Sequence, residues 1–142
     1  MTPSPLERVR RLCMALPGAS ERLSHGEPTW FVNGRVFAMF ANNHHGDGHV
    51  AVWLPAPPGL QEELITSSPR AYYRPPYVGV QGWVGVELSR VSDLRLSAHI
   101  ELAHELVSQQ RRGRAARPRQ SAASPTQPPR RPRSRSGVQR AP

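Results

Sequence analysis

Arg74-Pro-Pro-Tyr-Val-Gly-Val-Gln-Gly-Trp-Val-Gly-Val-Glu-Leu88 is the chain's densest run of turn residues, aromatics and β-branched residues. Pro75 and Pro76 lack backbone donors and turn the residues before them away from helix. Tyr77 to Val80 are β-formers, Gln81-Gly82 supplies a turn, and Trp83 to Leu88 alternates two faces. The expectation is an antiparallel hairpin with Val84, Val86 and Leu88 on one side and Trp83, Gly85 and Glu87 on the other. Gly79, Gly82 and Gly85 stand three apart and leave room for a close neighbour, which can be a strand, a helix or a ligand.

Outward from this stretch, the rest of the chain supplies a sheet and its cover. Leu6, Val9, Cys13 and Leu16 recur at helical spacing, Ser4 is placed to cap them, Pro5 suits the first turn and Pro17-Gly18 ends the helix. Ser20 to Pro28 reads as a connecting loop with His25-Gly26 as its turn. Thr29 to Val32 and Arg35 to Ala41 flank Asn33-Gly34, the strongest short hairpin signal present. Trp30 and Val32 share a face; Val36, Ala38 and Phe40 oppose Phe37, Met39 and Ala41, so the second strand is expected to be covered on both sides. His49 to Leu54 makes a third strand, Leu60, Leu64 and Ile65 mark a short helix ending by Ser68-Pro69, and Tyr72-Tyr73 leads into the hairpin. Ser92 or Asp93 can cap a last helix with the stripe Leu96, Ile100, Ala103 and Val107. The pattern is α+β, a two-layer sandwich in which N- and C-terminal helices pack on one face of an antiparallel sheet.

Charge divides the chain near Gln110. Up to that point nine arginines face ten carboxylates; the remaining 32 residues hold ten arginines and no carboxylate, so the whole formal charge of +9 comes from the second segment. Residues 1–110 therefore read as the folded domain. Residues 111–142, rich in Arg, Pro and Ser, read as a disordered basic tail, because they lack the apolar surface that would offset the entropy of ordering. All 19 basic residues are arginine, which excludes a Walker-type loop and a Schiff-base lysine supplied by this chain. The single cysteine, Cys13, falls in the apolar stripe of the first helix and reads as a small core hydrophobe. With no export signal and no apolar run long enough for a membrane, a cytoplasmic protein is expected.

His25-Gly26-x-Pro28-x-Trp30, Phe37-Ala38-Met39, Trp53-Leu54 and Pro75-Pro76-Tyr77-Val78-Gly79-x-x-Gly82-Trp83-Val84 resemble the MmcQ/YjbR family of small bacterial proteins, over about residues 5 to 108. The resemblance implies a fold similar to the bacterial frataxin (CyaY-like) type and a DNA-binding role. It carries over no catalytic or base-contacting residues, and no iron site.

The candidate nucleic-acid contacts fall in two groups. In the tail, Arg111, Arg112, Arg114, Arg117 and Arg119 form one cluster, and Arg130, Arg131, Arg133 and Arg135, with Arg140 beyond them, form another; such charge neutralises phosphates without reading sequence. On the domain, Arg70, Tyr72, Tyr73, Arg74, Tyr77 and Trp83 interleave guanidinium groups with rings, suited to phosphate forks and base stacking. The same charges would hold RNA or an acidic protein. His44, His45, Asp47 and His49 share a glycine-rich loop, but their spacing matches no standard metal site, and no metal or other cofactor is expected. No nucleophile elbow, C-x-x-C pair or dinucleotide fingerprint occurs, so the chain does not read as an enzyme. A protein-interaction module, and a small-molecule binder or enzyme with a pocket between hairpin and helices, stay open as alternatives.

Overall fold

The computed structural model describes residues 3–116, of which 110–116 are described as backbone alone. Helix α1 (Pro5–Met14) begins at Ser4, whose hydroxyl accepts from the Glu7 N–H at 3.2 Å. Strands β1 (Ser20–Ser24), β2 (Glu27–Val32), β3 (Arg35–Asn42) and β4 (Val50–Leu54) follow, then α2 (Leu60–Ser67), β5 (Tyr72–Tyr73), β6 (Val84–Glu87) and α3 (Asp93–Ala116). Ser92 caps α3, its hydroxyl accepting from the Arg95 N–H at 3.1 Å. The six strands form one sheet in the order β1-β2-β3-β4-β6-β5, and every neighbouring pair is antiparallel.

Two tight loops set the first half of this sheet. His25-Gly26 and Asn33-Gly34 each take two consecutive positive φ values (54° and 83°, 55° and 78°), the mirror-image turn whose twist suits a hairpin. The stretch expected as a loop from Ser20 to Pro28 is thus itself a hairpin, β1 with the start of β2. Its strand character is hidden because β1 is a polar edge strand whose large apolar residue, Leu23, points to solvent.

The hairpin expected between Tyr77 and Leu88 is also relocated. Its first arm is β5, with Tyr72 opposite Val86 and Tyr73 opposite Gly85. Residues 74–83 form a long connection rather than a strand and a turn, because Pro75 and Pro76 cannot donate to a ladder and Val78–Gln81 coils into a 3₁₀ turn.

The main core lies between the sheet and the helices. Val9 and Cys13 of α1 and Leu96, Ile100, Ala103 and Val107 of α3 pack with Trp30, Val32, Ala38, Phe40, Val52, Leu54, Val84 and Val86. Removing the side chain of such a residue costs about 2–5 kcal/mol. Cys13 is fully buried, and burial pushes its thiol well above the ordinary range, as suits a packing residue. The alternation expected along β3 is broken by a β-bulge: Trp30 pairs with Ala38 but Phe31 with Val36, leaving Phe37 as the extra residue. Phe37 consequently joins Ala38 and Phe40 on the helix side, edge-on to His104 of α3 at 5.1 Å.

Candidate functional site

The helices leave the other face of the sheet to be covered by loops. The register aligns Arg22, Thr29, Met39, Trp53, Gly85 and Tyr73 in one row across all six strands, with Ala41, Ala51 and Glu87 in the next. Trp53, Ala41 and Ala51 form a second, smaller core there, joined by Met39, Tyr73, Val78 and Trp83. Tyr73 lies across Gly85, accepts from the Trp53 indole N–H at 2.8 Å and stacks on His49 at 3.9 Å and 11°. Burial pushes the Tyr73 phenol up to about 12, so it stays neutral in ordinary conditions. His49 is held in turn by Glu87, Nδ1 to Oε1 at 2.7 Å.

Two loops roof this face. Residues 43–49 are closed by the Asn43 N–H on the His49 carbonyl at 2.6 Å, and by the Asn43 side chain accepting from Gly48 at 2.8 Å. In residues 74–83 the Val78 N–H reaches back to the Pro76 carbonyl at 2.6 Å, a γ-turn centred on Tyr77 at φ 64° and ψ −70°. Gln61 of α2, 3% exposed, holds this second loop by donating Nε2 to the carbonyls of Gly79, at 2.8 Å, and Trp83. The loops meet where His45 Nε2 and the Tyr77 hydroxyl lie 3.1 Å apart. Behind them His44 stands edge-on to Trp53 at 5.0 Å and to Tyr77 at 6.0 Å.

The YjbR family model matches residues 14–106 of the sequence. The chain belongs to the YjbR family. The crystal structure of Deinococcus radiodurans protein DR2400, which carries a DUF419 domain, superposes on this YjbR chain with a TM-score of 0.62 at 21% identity. The alignment covers 74% of this chain and 81% of that one, a likeness of fold. No curated protein matches the chain.

The YjbR domain scatters the ring residues that the sequence groups together. Tyr72 is 2% exposed and belongs to the main core, its hydroxyl 2.8 Å from His99 Nε2, so it is no stacking platform. Tyr73, one position on, faces the opposite side of the sheet beneath His49. Trp83 is half-buried against the smaller core. Tyr77, at 68% exposed, is the ring that reaches solvent, with Arg70 and Arg74 exposed nearby in sequence. The Arg74 stem passes Gly79 so closely that a Cβ there would lie 2.7 Å from its Cγ.

The arginines of α1 are engaged within the YjbR domain. Arg10 donates to Glu21 through Nε at 2.9 Å and Nη2 at 2.8 Å, and Arg8 and Arg11 both pair with Asp93. Of the tail candidates, Arg111, Arg112 and Arg114 are described as helical backbone alone, and Arg117, Arg119, Arg130, Arg131, Arg133 and Arg135 lie outside the described residues. Sequence reasoning did not select Met39, Trp53 or Gln61 as site residues, and it weighed His44 only as a metal ligand. Among the described residues no group of three or more His, Cys, Asp or Glu side chains is disposed to hold a metal ion, and no helix is long and apolar enough to cross a membrane.

Proposed function

We propose that the protein is a cytoplasmic, non-catalytic DNA-binding protein that engages phosphates without reading base sequence. The observation that carries the reading is the partition of charge: ten arginines without a carboxylate after Gln110, beside a domain in which nine arginines face ten acids. Each phosphate neutralised by arginine releases condensed counterions, which favours association with any sequence and makes affinity depend steeply on salt. The engagement of Arg8, Arg10 and Arg11 by Glu21 and Asp93 supports a minor share for the domain surface. Arg70, Arg74 and the exposed Tyr77 ring are its contribution, by phosphate contact and by stacking on unpaired bases.

A salt titration of duplex binding tests the proposal, comparing the full chain with a variant carrying glutamine at all ten arginines after Gln110. The full chain should give a log–log slope between about −4 and −9. The variant should bind at least about tenfold more weakly at low salt, with a flatter slope. Equal binding by the two would move the site to Arg70 and Arg74, and absence of binding by the full chain would end the reading. Competition with RNA and with an acidic polypeptide at matched charge identifies the preferred polyanion.

A further inference from the structure

Under the two roofing loops lies a cavity of about 510 Å³ that phosphate binding does not use. Five of the seven residues lining it carry rings, His25, His44, His45, Trp53 and Tyr77, and a sixth is Met39. No carboxylate lines it. We infer that this cavity binds one flat heteroaromatic ring of the nucleobase class, presented either by a free nucleoside or by an unpaired base of a strand.

Three observations select that ligand. The first is size, since the volume lies in the range of small-ligand pockets and is far smaller than a polymer groove. The second is wall chemistry. Rings prefer to meet other rings edge-to-face or offset, and the thioether of Met39 makes favourable contacts with a ring edge, so a planar π-system gains more here than an aliphatic group of equal area. The third is the polar inventory. The His45 ring nitrogen and the Tyr77 hydroxyl, 3.1 Å apart, both belong to residues lining the cavity, and between them they can donate to and accept from the polar edge of a nucleobase.

Backbone strain falls on the same place. His45 (φ 52°, ψ 31°) and Tyr77 (φ 64°, ψ −70°) are non-glycine residues at positive φ, one from each loop, and they bring their side chains together at the cavity. Strain of this type persists where surrounding structure imposes it, and it concentrates at ligand sites. The inference deepens the stacking role given above to Tyr77 and is independent of the phosphate contacts, because a neutral nucleoside carries no phosphate for arginine to hold.

The test is a titration of the ¹⁵N-labelled full chain with adenosine, cytidine and thymidine, following the Trp53 indole N–H, which is fixed by its bond to Tyr73. A saturable shift of that resonance is expected. Tyr77→Ala should weaken binding by at least about tenfold and Tyr77→Phe by less than about threefold, as stacking on the ring demands. Tyr77 is 68% exposed, so both variants keep the core intact. An unpaired hexanucleotide at high salt separates the sources: tighter binding than the nucleoside favours a strand, equal binding a free nucleoside. The inference is overturned if no nucleoside gives a saturable shift, if Tyr77→Ala binds as the unaltered chain does, or if a cyclic aliphatic alcohol of similar volume shifts the indole equally. Nucleoside binding without duplex binding would leave this inference standing and remove the phosphate reading.

Discussion

The phenol ring of Tyr73 occupies the space that a side chain at Gly85 would need: a Cβ built there would stand 2.5 Å from Cε1 and 2.6 Å from Cζ. The two residues face each other across β5 and β6, so the missing side chain on one strand is what lets the ring of the other lie flat and reach Trp53. A ring pinned by Trp53 on one side and His49 on the other cannot simply swing away.

Gly85→Ala should therefore destabilise the domain by about 1–3 kcal/mol, the cost of overpacking a filled site, as measured by urea denaturation. The double variant Gly85→Ala with Tyr73→Ala should lose less than the sum of the two single changes. Additive losses would mean that the ring and the glycine are not in conflict.

Glu21 serves two partners, accepting from Arg10 and from the fully buried Trp30 indole at 3.0 Å. Glu21→Ala should cost about 1–3 kcal/mol by stranding the indole N–H. The hydrogen bond from Arg10 holds the Glu21 carboxyl below its ordinary 4.5. A lowered carboxyl contributes stability above its unfolded value and loses it as pH falls through the folded one. Denaturation midpoints of the unaltered chain should thus fall more steeply below about pH 4.5 than those of Glu21→Gln, which keeps an acceptor for Trp30.

Burial, aided by the charge of Arg95, lowers His99 below its ordinary 6.5. Between the folded value and 6.5 the unfolded chain binds more protons, so stability is present above 6.5 and declines as pH falls through that window. Titration of the His99 ring by NMR should give a midpoint below 6.5, and His99→Gln should flatten the stability profile between neutral and mildly acidic pH. A midpoint at or above 6.5 would contradict this arrangement.

Tyr77 holds its γ-turn at the expense of backbone strain while most of its ring lies in solvent. Tyr77→Gly, which adopts positive φ freely, should leave thermal stability unchanged or raise it by up to about 1 kcal/mol. A loss above that size would show that the ring's contacts with His44 and His45 outweigh the strain.

Local features are the ones that could be read from the sequence. Ser4 and Ser92 cap their helices because a hydroxyl one turn from unpaired N–H groups acts without reference to the rest of the fold. Asn33-Gly34 and His25-Gly26 form turns for an equally local reason, their tolerance of positive φ. Pattern reading fails where a strand carries no pattern. In β1 the one large apolar residue is Leu23, facing solvent. It fails at Phe37 as well, because a bulge shifts the alternation by one residue. The candidate site was legible in part, with Tyr77 among the four rings selected and the structure giving it as the exposed one. Tyr72 and Tyr73 are adjacent and hence point to opposite faces, which no inventory of aromatics reveals. Met39 and Trp53 become neighbours through strand register alone, and Gln61 reaches Trp83 from a helix 22 residues earlier.

Gln61 carries a consequence for motion. The carbonyls of Gly79 and Trp83, near the two ends of one coil of backbone, hang from the same amide nitrogen. Withdrawal of that amide frees both carbonyls at once, so release of the 79–83 segment should be coupled to movement of α2.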